Sequence, residues 1–463
     1  MRTTRAATLT LAGILLWGPG DVTAQETGAA LIAAIDSVAT EGIEAGRAAG
    51  MSIAVMHGGE PILVKAYGSA DLELGVPTPP DAVYEIGSVT KQFTAVALLM
   101  LVDEGLVSLD DDLSKWFPDY PLHGRRIPVH RLMDHTSGIK GYTEMQVFRS
   151  IATQALPQDS LISLIAAEPF DFEPGEALIY NNSAYFLLGK LIEKASGKTY
   201  EEFVEERLFA AVGMMNSRYC HRDEFTPLRA KGYQPGPGGS LRPADYLDHR
   251  WPYAAGSLCS TAADLAAWND ALHGDGAGGE LLTPESYRSL ITPGSLNDGT
   301  PVRYAKGLAI TSRDGRPRIA HGGGIFGYVS ELRYFPEETL SIVVLINTAG
   351  PVSSSAIATS VENLVLGPRA LVVPRVYSGD LSRFEGTFRG PARGRRMTVT
   401  VTVGDDGLTL RQGTAPGEGR TLRWLGGTTF GRGDTRYRFV LDGDRVAALQ
   451  VDQVTGLYVL EKI

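Results

Sequence analysis

IGSVTKQFTA, residues 86–95, places Ser88 and Lys91 three positions apart, behind a glycine and at the start of a long apolar helical stretch. Residues at positions i and i+3 share a face of a helix, so Lys91 is predicted to lie one turn above the Ser88 hydroxyl. The amino terminus of that helix also offers free N–H groups and positive potential beside the oxygen. The stretch therefore indicates a reactive serine; the alternative is that Ser88 only caps the helix.

A second S-x-x-K sequence, Ser137 to Lys140, lies within HTSGIKGY. Its two glycines predict a loop, in which the i+3 spacing no longer guarantees that two side chains share a face. We interpret this second copy as structural, at most lining a cleft.

Two later stretches offer the further groups that an activated serine needs. LIYNNSAYFLLGKLIEKASG (178–197) places Tyr180 and Asn182 just before an amphipathic helix, where a phenolate could share the proton of Lys91 and an amide could bind a substrate carbonyl. IAHGGGIFGYVSELRYFP (319–336) places His321 and three glycines before a strand, and glycines let a ligand approach the backbone closely. The alternatives are a buried tyrosine, an Asn helix cap and a turn histidine.

The order of these motifs resembles the serine β-lactamase and penicillin-recognising family, in particular class C β-lactamases, D-stereospecific peptidases and related esterases. The family pattern is S-x-x-K, then Y-x-N, then [KH]-x-G on an edge strand of a sheet. The matching positions here are Ser88 and Lys91, Tyr180 and Asn182, and His321 and Gly323. The resemblance covers roughly residues 28–366 and includes LMDHTSGI, GSLCSTAADLAAW and GYVSELRYFP.

This resemblance implies a serine hydrolase that forms an acyl-enzyme on Ser88 and cleaves amide or ester bonds. Lys91 and Tyr180 deliver and remove the serine proton, and the acylation base is left open between them. Asn182 orients the substrate amide. The backbone N–H groups of Ser88 and Gly324 form the oxyanion hole, the donor pair that stabilises the tetrahedral intermediate.

The third motif implies the substrate preference. Gly323 would let an extended substrate lie along the edge strand. His321 stands where the best-known β-lactamases have lysine, and histidine is mostly neutral near pH 7. This departure favours D-amino-acid peptidase, amidase or esterase chemistry over efficient β-lactam hydrolysis. The alternative function is a penicillin-binding or sensor protein that is non-catalytic or turns over slowly.

Strand-like segments at both ends of the first 366 residues, with helical periodicity between them, predict an α/β (α+β) fold. We expect a β-lactamase/transpeptidase-like mixed sheet flanked by helices, with a helical insertion, over residues 25–371, and a linker over 372–377. From 378 to 463, short alternating runs separated by Asp-Gly and Gly-Asp turns predict a small all-β barrel, which resembles a lipocalin. All proposed site residues lie before Leu366, so this barrel is expected to fold separately and to tune access or assembly rather than chemistry.

The first 24 residues resemble an export signal. Arg2 and Arg5 form a charged start, residues 6–17 form an apolar core too short to span a bilayer, and residues 22–24 form a small-residue cleavage site. The mature chain is therefore expected in the periplasm or outside the cell, without a stable membrane span. The alternative is that this segment remains as an uncleaved anchor.

Charge and cysteine content narrow the expected partners. The formal net charge is −10 and there is no long basic run, which argues against a nucleic-acid partner. The two cysteines, Cys220 and Cys259, are predicted to form one disulfide in an exported protein. His130 and His135 have no further ligand nearby in the sequence, so no metal and no cofactor are expected. The expected partners are a small-molecule or peptide substrate and, through the C-terminal domain, further copies of the chain.

Overall fold

The computed structural model describes residues 19–463 apart from 222–223, 276–277, 370–375, 405–406 and 414–418, with side chains from residue 28 onward. The charged start and apolar core of the predicted export signal, and most of the predicted linker, therefore lie outside the described residues. The predicted cleavage site falls within helix α1 (Pro19–Glu44). In the described part of the chain, no helix is long and apolar enough to cross a bilayer.

A central sheet organises the first domain. Its described strands, in chain order, are β1 (Gly50–His57), β2 (Glu60–Asp71), β3 (Val76–Pro77), β4 (Tyr84–Glu85), β5 (Leu178–Ile179), β6 (Arg218–Tyr219), β7 (Tyr233–Pro235), β8 (Leu241–Pro243), β9 (Leu258–Ser260), β10 (Ala309–Arg313), β11 (Arg316–Ile325), β12 (Tyr328–Phe335) and β13 (Leu340–Ile346). Seven of them form the sheet in the order β10-β11-β12-β13-β1-β2-β3. The two ends of the domain meet where β13 pairs with β1.

Helices cover both faces of this sheet. After α1 they are α2 (Thr90–Asp103), α3 (Leu113–Trp116), α4 (Val129–Met133), α5 (Phe148–Ile151), α6 (Gln158–Ala166), α7 (Asn182–Ser196), α8 (Tyr200–Val204), α9 (Ala210–Val212), α10 (Ala262–His273), α11 (Pro284–Ile291) and α12 (Ser354–Leu366). Successive strand residues face opposite sides, so Ile342 and Val344 of β13 pack against α1 and α12, while Val343 and Leu345 join the core around α2. Both faces are buried, which explains the uninterrupted apolar sequence of β13.

The predicted α/β (α+β) fold class is confirmed, and so is the assembly of one sheet from both ends of the domain. The sheet differs from the expected mixed sheet in one respect, because its described strand pairs are all antiparallel. The physical reason is the connectivity: β1–β2 and β10 to β13 follow one another through short turns, and such hairpins are antiparallel.

The C-terminal segment forms a nearly closed antiparallel barrel, as predicted. Its strands are β14 (Gly386–Ala392), β15 (Arg395–Gly404), β16 (Gly407–Gln412), β17 (Arg420–Thr421), β18 (Arg423–Gly426), β19 (Thr429–Arg432), β20 (Thr435–Asp442), β21 (Arg445–Gln453) and β22 (Gly456–Lys462). Their order is β17-β16-β15-β14-β22-β21-β20-β19-β18. The inward side chains form an aromatic and aliphatic core that includes Phe384, Phe388, Phe430, Phe439 and Leu449.

The barrel and the first domain are joined through backbone and core. Strand β22 pairs with β5, so that Leu457 lies opposite Leu178, and both leucines share a buried cluster with Tyr180. An ion pair of 3.0 Å between Arg303 and Asp452 reinforces the junction. The sequence-based expectation of a barrel that folds apart from the first domain did not anticipate this shared sheet edge, because a two-residue strand leaves no pattern in the sequence.

Candidate active site

Ser88 lies in a tight 3₁₀ turn, Gly87–Val89, that leads directly into α2. Gly87 has φ +51°, and a Cβ atom there would lie 2.9 Å from the backbone nitrogen of Gly324 on β11. Glycine is therefore required at position 87 both by the left-handed backbone and by the close approach of β11. The Ser88 side chain caps neither this turn nor α2, so the helix-cap alternative does not describe it.

The side-chain nitrogen (Nζ) of Lys91 lies at the centre of the site. It is 3.1 Å from Ser88 Oγ, 2.8 Å from Asn182 Oδ1 and 2.7 Å from the carbonyl oxygen of Ala255. The side chain is 0% exposed. Burial lowers the pKa of Lys91 well below its ordinary value, and the positive charge of Arg393 lowers it further. A buried amine with a depressed pKa can take the proton of the serine hydroxyl.

Tyr180 lies on the other side of the amine, with its ring centroid 4.8 Å from Lys91 Nζ. Burial raises the pKa of Tyr180 above its ordinary value, and the nearby Ser88 hydroxyl opposes that rise. Its Oη is buried and, among the described residues, no group makes a hydrogen bond of good geometry with it. An orphaned buried hydroxyl is uncommon in folded proteins, and this one carries a proton that it can donate.

Two adjacent asparagines have different roles in the structure. Asn181 caps α7: its Oδ1 accepts a hydrogen bond of 2.8 Å from the Ala184 N–H. Asn182 therefore does not cap the helix. Its amide instead bridges Lys91 and Thr143, with Nδ2 lying 3.3 Å from Thr143 Oγ1. The Asn-cap alternative thus applies to Asn181 and not to Asn182.

His321 is buried at the start of the glycine run on β11. Its Nδ1 donates to the Gly322 carbonyl oxygen at 2.6 Å, which leaves Nε2 to accept a hydrogen bond of 2.9 Å from the Tyr304 hydroxyl. Burial and the charge of Lys91 lower the pKa of His321 to about 3. The imidazole is therefore neutral at physiological pH.

The glycines after His321 let β11 lie against the serine turn. A Cβ atom on Gly323 would lie closer than 3.0 Å to the Ile86 carbonyl oxygen and to Ser330 Oγ. No atom lies within 4 Å of the corresponding position on Gly324, whose backbone lines the pocket together with Ser88. The structure therefore brings together all seven residues for which the sequence predicted catalytic or binding roles: Ser88, Lys91, Tyr180, Asn182, His321, Gly323 and Gly324.

The second S-x-x-K copy lies apart from this arrangement. Lys140 forms an ion pair of 2.8 Å with Asp171, and Ser137 is buried, with its Oγ accepting from the Ile139 N–H at 3.4 Å. Its neighbour His135 packs 4.3 Å from the Tyr180 ring, measured between ring centroids. These residues support the wall behind Tyr180.

The sequence missed the part of the pocket that the barrel supplies. The cavity beside Ser88 has a volume of about 430 Å³, and its lining includes Arg393 and Thr455 from two barrel turns. The predicted site residues all lie before Leu366, and the barrel adds these two residues to the pocket wall. The sequence could not have identified these two residues, because the sequence of a turn between two strands does not show which surface the turn contacts.

The structure joins Cys220 and Cys259 in a disulfide whose Cα atoms are 5.4 Å apart. Cys259 lies on β9 opposite Glu85 of β4, the strand that ends three residues before Ser88. The bond therefore braces the segment from which the serine turn emerges.

Comparison with known proteins agrees with this arrangement. The Beta-lactamase family profile matches residues 35–366. D-aminopeptidase of Brucella anthropi is 29% identical in sequence, and the match covers 79% of this chain and 68% of that protein. Penicillin-binding protein 4* of Bacillus subtilis (strain 168) is 24% identical, and the match covers 68% of this chain and 72% of that protein. The solved structure of an octameric penicillin-binding protein homologue from Pyrococcus abyssi is 26% identical, covers 93% of this chain and 100% of its own, and superposes with a TM-score of 0.65. The chain belongs to the beta-lactamase family and is a serine hydrolase of that family.

Proposed function

We propose that this protein hydrolyses amide or ester bonds through an acyl-enzyme on Ser88, with D-amino-acid peptides and amides as the favoured substrates. The observation that carries the proposal is the buried Lys91 amine, which lies 3.1 Å from Ser88 Oγ and has a depressed pKa. An amine held in this way is a general base for the serine hydroxyl.

The proposed reaction has two halves. In acylation, Lys91 takes the Ser88 proton and Oγ forms a bond to the substrate carbonyl carbon. The N–H groups of Ser88 and Gly324 stabilise the oxyanion, and the bond to the leaving group breaks as that group receives a proton from Tyr180. In deacylation, water attacks the ester and gives up its proton to the same pair, and Ser88 Oγ leaves protonated. The raised pKa of Tyr180 and the lowered pKa of Lys91 support lysine as the base and tyrosine as the acid.

Two observations support the substrate class. The neutral, buried His321 supplies no permanent cation at the third motif, which disfavours efficient β-lactam hydrolysis. The relative from Brucella anthropi is named a D-aminopeptidase. We assign to Asn182, whose Oδ1 accepts a hydrogen bond from Lys91, the role of orienting the amide of such a substrate.

We also propose that the protein is exported and that it assembles through its barrel. The signal-like residues 1–24 and the Cys220–Cys259 disulfide support export to an oxidising compartment. The octameric state named for the Pyrococcus abyssi homologue supports homo-oligomerisation.

The test is a substrate panel of nitrocefin, short-chain nitrophenyl esters, and matched D- and L-amino-acid nitroanilides. We expect turnover of the D-anilides or esters to exceed that of nitrocefin, and Ser88→Ala to abolish it. Ser137→Ala is the matched control, because it removes a serine from the other S-x-x-K copy. Loss of activity in the Ser137 variant alone would contradict the assignment. A penicillin label retained for hours, with no turnover of the panel, would favour the alternative of a penicillin-binding sensor.

A further inference from the structure

The strongest unassigned feature of the pocket is an arginine from the other domain. Arg393 occupies the turn between β14 and β15, and its guanidinium carbon lies 5.1 Å from the ring centroid of Tyr180. The turn is pressed against the first domain, since a Cβ atom on Gly394, where φ is +67°, would lie 2.9 Å from Glu144 Cγ. Arg393 is thus a fixed part of the pocket wall.

Two contacts orient the guanidinium. Arg393 Nε donates to Glu144 Oε1 at 2.6 Å, and Nη2 lies 3.4 Å from Thr143 Oγ1. Arg393 lines the pocket and its side chain is 42% exposed, whereas Glu144 does not line the pocket and is 12% exposed. A guanidinium has five N–H donors in a planar fork. These two contacts therefore leave donors available to a ligand in the pocket.

Arg393 also carries a permanent positive charge, which the three family motifs of this chain do not supply. His321 is neutral, and Lys91 has a depressed pKa. Among the described residues that line the pocket, Arg393 is the one that bears a permanent positive charge. Arginine matches the geometry of a carboxylate, with which it forms two parallel hydrogen bonds.

The position of this cation defines which part of the substrate it meets. Tyr180 is the group that we assign to protonate the leaving group, and Arg393 lies against the Tyr180 ring. A charge on the leaving-group side recognises a product that ends in a carboxylate, as an amino acid or short peptide does. Ammonia or a simple alcohol offers no such group.

We propose that Arg393 is a specificity-determining residue that binds the carboxylate of the leaving group, so that the preferred substrates are peptides cleaved to release a carboxylate-bearing amino acid or short peptide. This inference rests on the proposed acyl-enzyme function. It assigns part of substrate recognition to the barrel and makes substrate choice depend on the docking of the two domains.

The experiment uses the full-length protein and two thioesters that have the same acyl group and differ in whether the leaving group bears a free carboxylate. One is S-(N-benzoylglycyl)thioglycolate, whose leaving group ends in a carboxylate, and the other is its methyl ester; thiol release is measured for both. We expect the wild-type enzyme to favour the carboxylate, and Arg393→Ala to lower the ratio of the two kcat/KM values by about 10- to 100-fold. Arg393→Lys should restore part of the ratio, because it keeps the charge without the planar fork.

Arg395→Ala is the matched control, since it removes the same charge from an exposed position two residues along and should leave the ratio unchanged. Labelling of Ser88 by a fluorophosphonate verifies that each variant is folded. A ratio that Arg393→Ala does not change, or a wild-type preference for the methyl ester, would overturn the role of Arg393 while leaving the acyl-enzyme intact. Failure of the wild-type protein to cleave either thioester or to be labelled would instead overturn the proposed function itself.

Discussion

Gly323→Ala tests whether β11 must lie tightly against the serine turn. The added methyl group would come closer than 3.0 Å to the Ile86 carbonyl oxygen and to Ser330 Oγ. The carbonyl oxygen belongs to the backbone, so it cannot turn aside as a flexible side chain can, and Ser330 Oγ donates to it at 2.8 Å. To restore ordinary contact, β11 has to retreat from the turn by roughly 1 Å. This displacement separates the Gly324 and Ser88 N–H groups that we assign to the oxyanion hole. A misplacement of that size costs about 100-fold in rate.

The assay is kcat/KM with a nitrophenyl ester, together with the Tm of each variant. Gly324→Ala is the comparison, because its methyl group meets no atom within 4 Å and the backbone N–H is retained. We expect Gly323→Ala to lose about 100-fold in kcat/KM and Gly324→Ala to lose far less. A Gly323→Ala enzyme with the wild-type rate, or equal losses in the two variants, would refute the reasoning.

Three further outcomes are expected. Tyr180→Phe should lower acylation by about 1,000-fold or more, since groups that act as one unit are lost together, and near-normal rates would remove tyrosine from the mechanism. Activity should fall on the acidic side of the pH–rate profile as Lys91 takes up a proton. The Arg393 cation lowers the pKa of Lys91, so this fall should occur at higher pH in Arg393→Ala. Glu144 raises the pKa of Lys91, so the fall should occur at lower pH in Glu144→Gln. Thiol titration of the denatured, unreduced protein should detect no free thiol at Cys220, and two free thiols would contradict the disulfide.

Local spacing accounts for the part of the site that the sequence predicted well. Ser88 and Lys91 are three residues apart, and both a 3₁₀ turn and the start of an α-helix bring such residues to the same side of the chain. The glycines that follow His321 likewise predict that another part of the chain approaches this backbone closely. The structure shows that approach between Gly323 and Ile86. Such features depend on a few neighbouring residues and can be read without the fold.

The rest of the pocket depends on contacts between distant parts of the chain. Arg393 meets Glu144 across 249 positions, at a junction of two domains where β22 also pairs with β5. The alternating pattern of the C-terminal segment predicts strands and a barrel, but it does not indicate which barrel turn contacts which surface of the first domain. The Y-x-N pattern pointed to Asn182 as the substrate-binding residue, but the sequence did not show that Asn181 caps the helix, because two adjacent asparagines fit the same capping pattern.

The central claim is that Ser88, and not the serine of the second S-x-x-K copy, becomes acylated. The most direct measurement is the intact mass of the protein after reaction with a fluorophosphonate or a penicillin, followed by peptide mapping of the adduct. We predict one adduct on the peptide that contains Ser88, absent from Ser88→Ala and present in Ser137→Ala. An adduct that maps to Ser137, or one that persists in Ser88→Ala, would contradict the account.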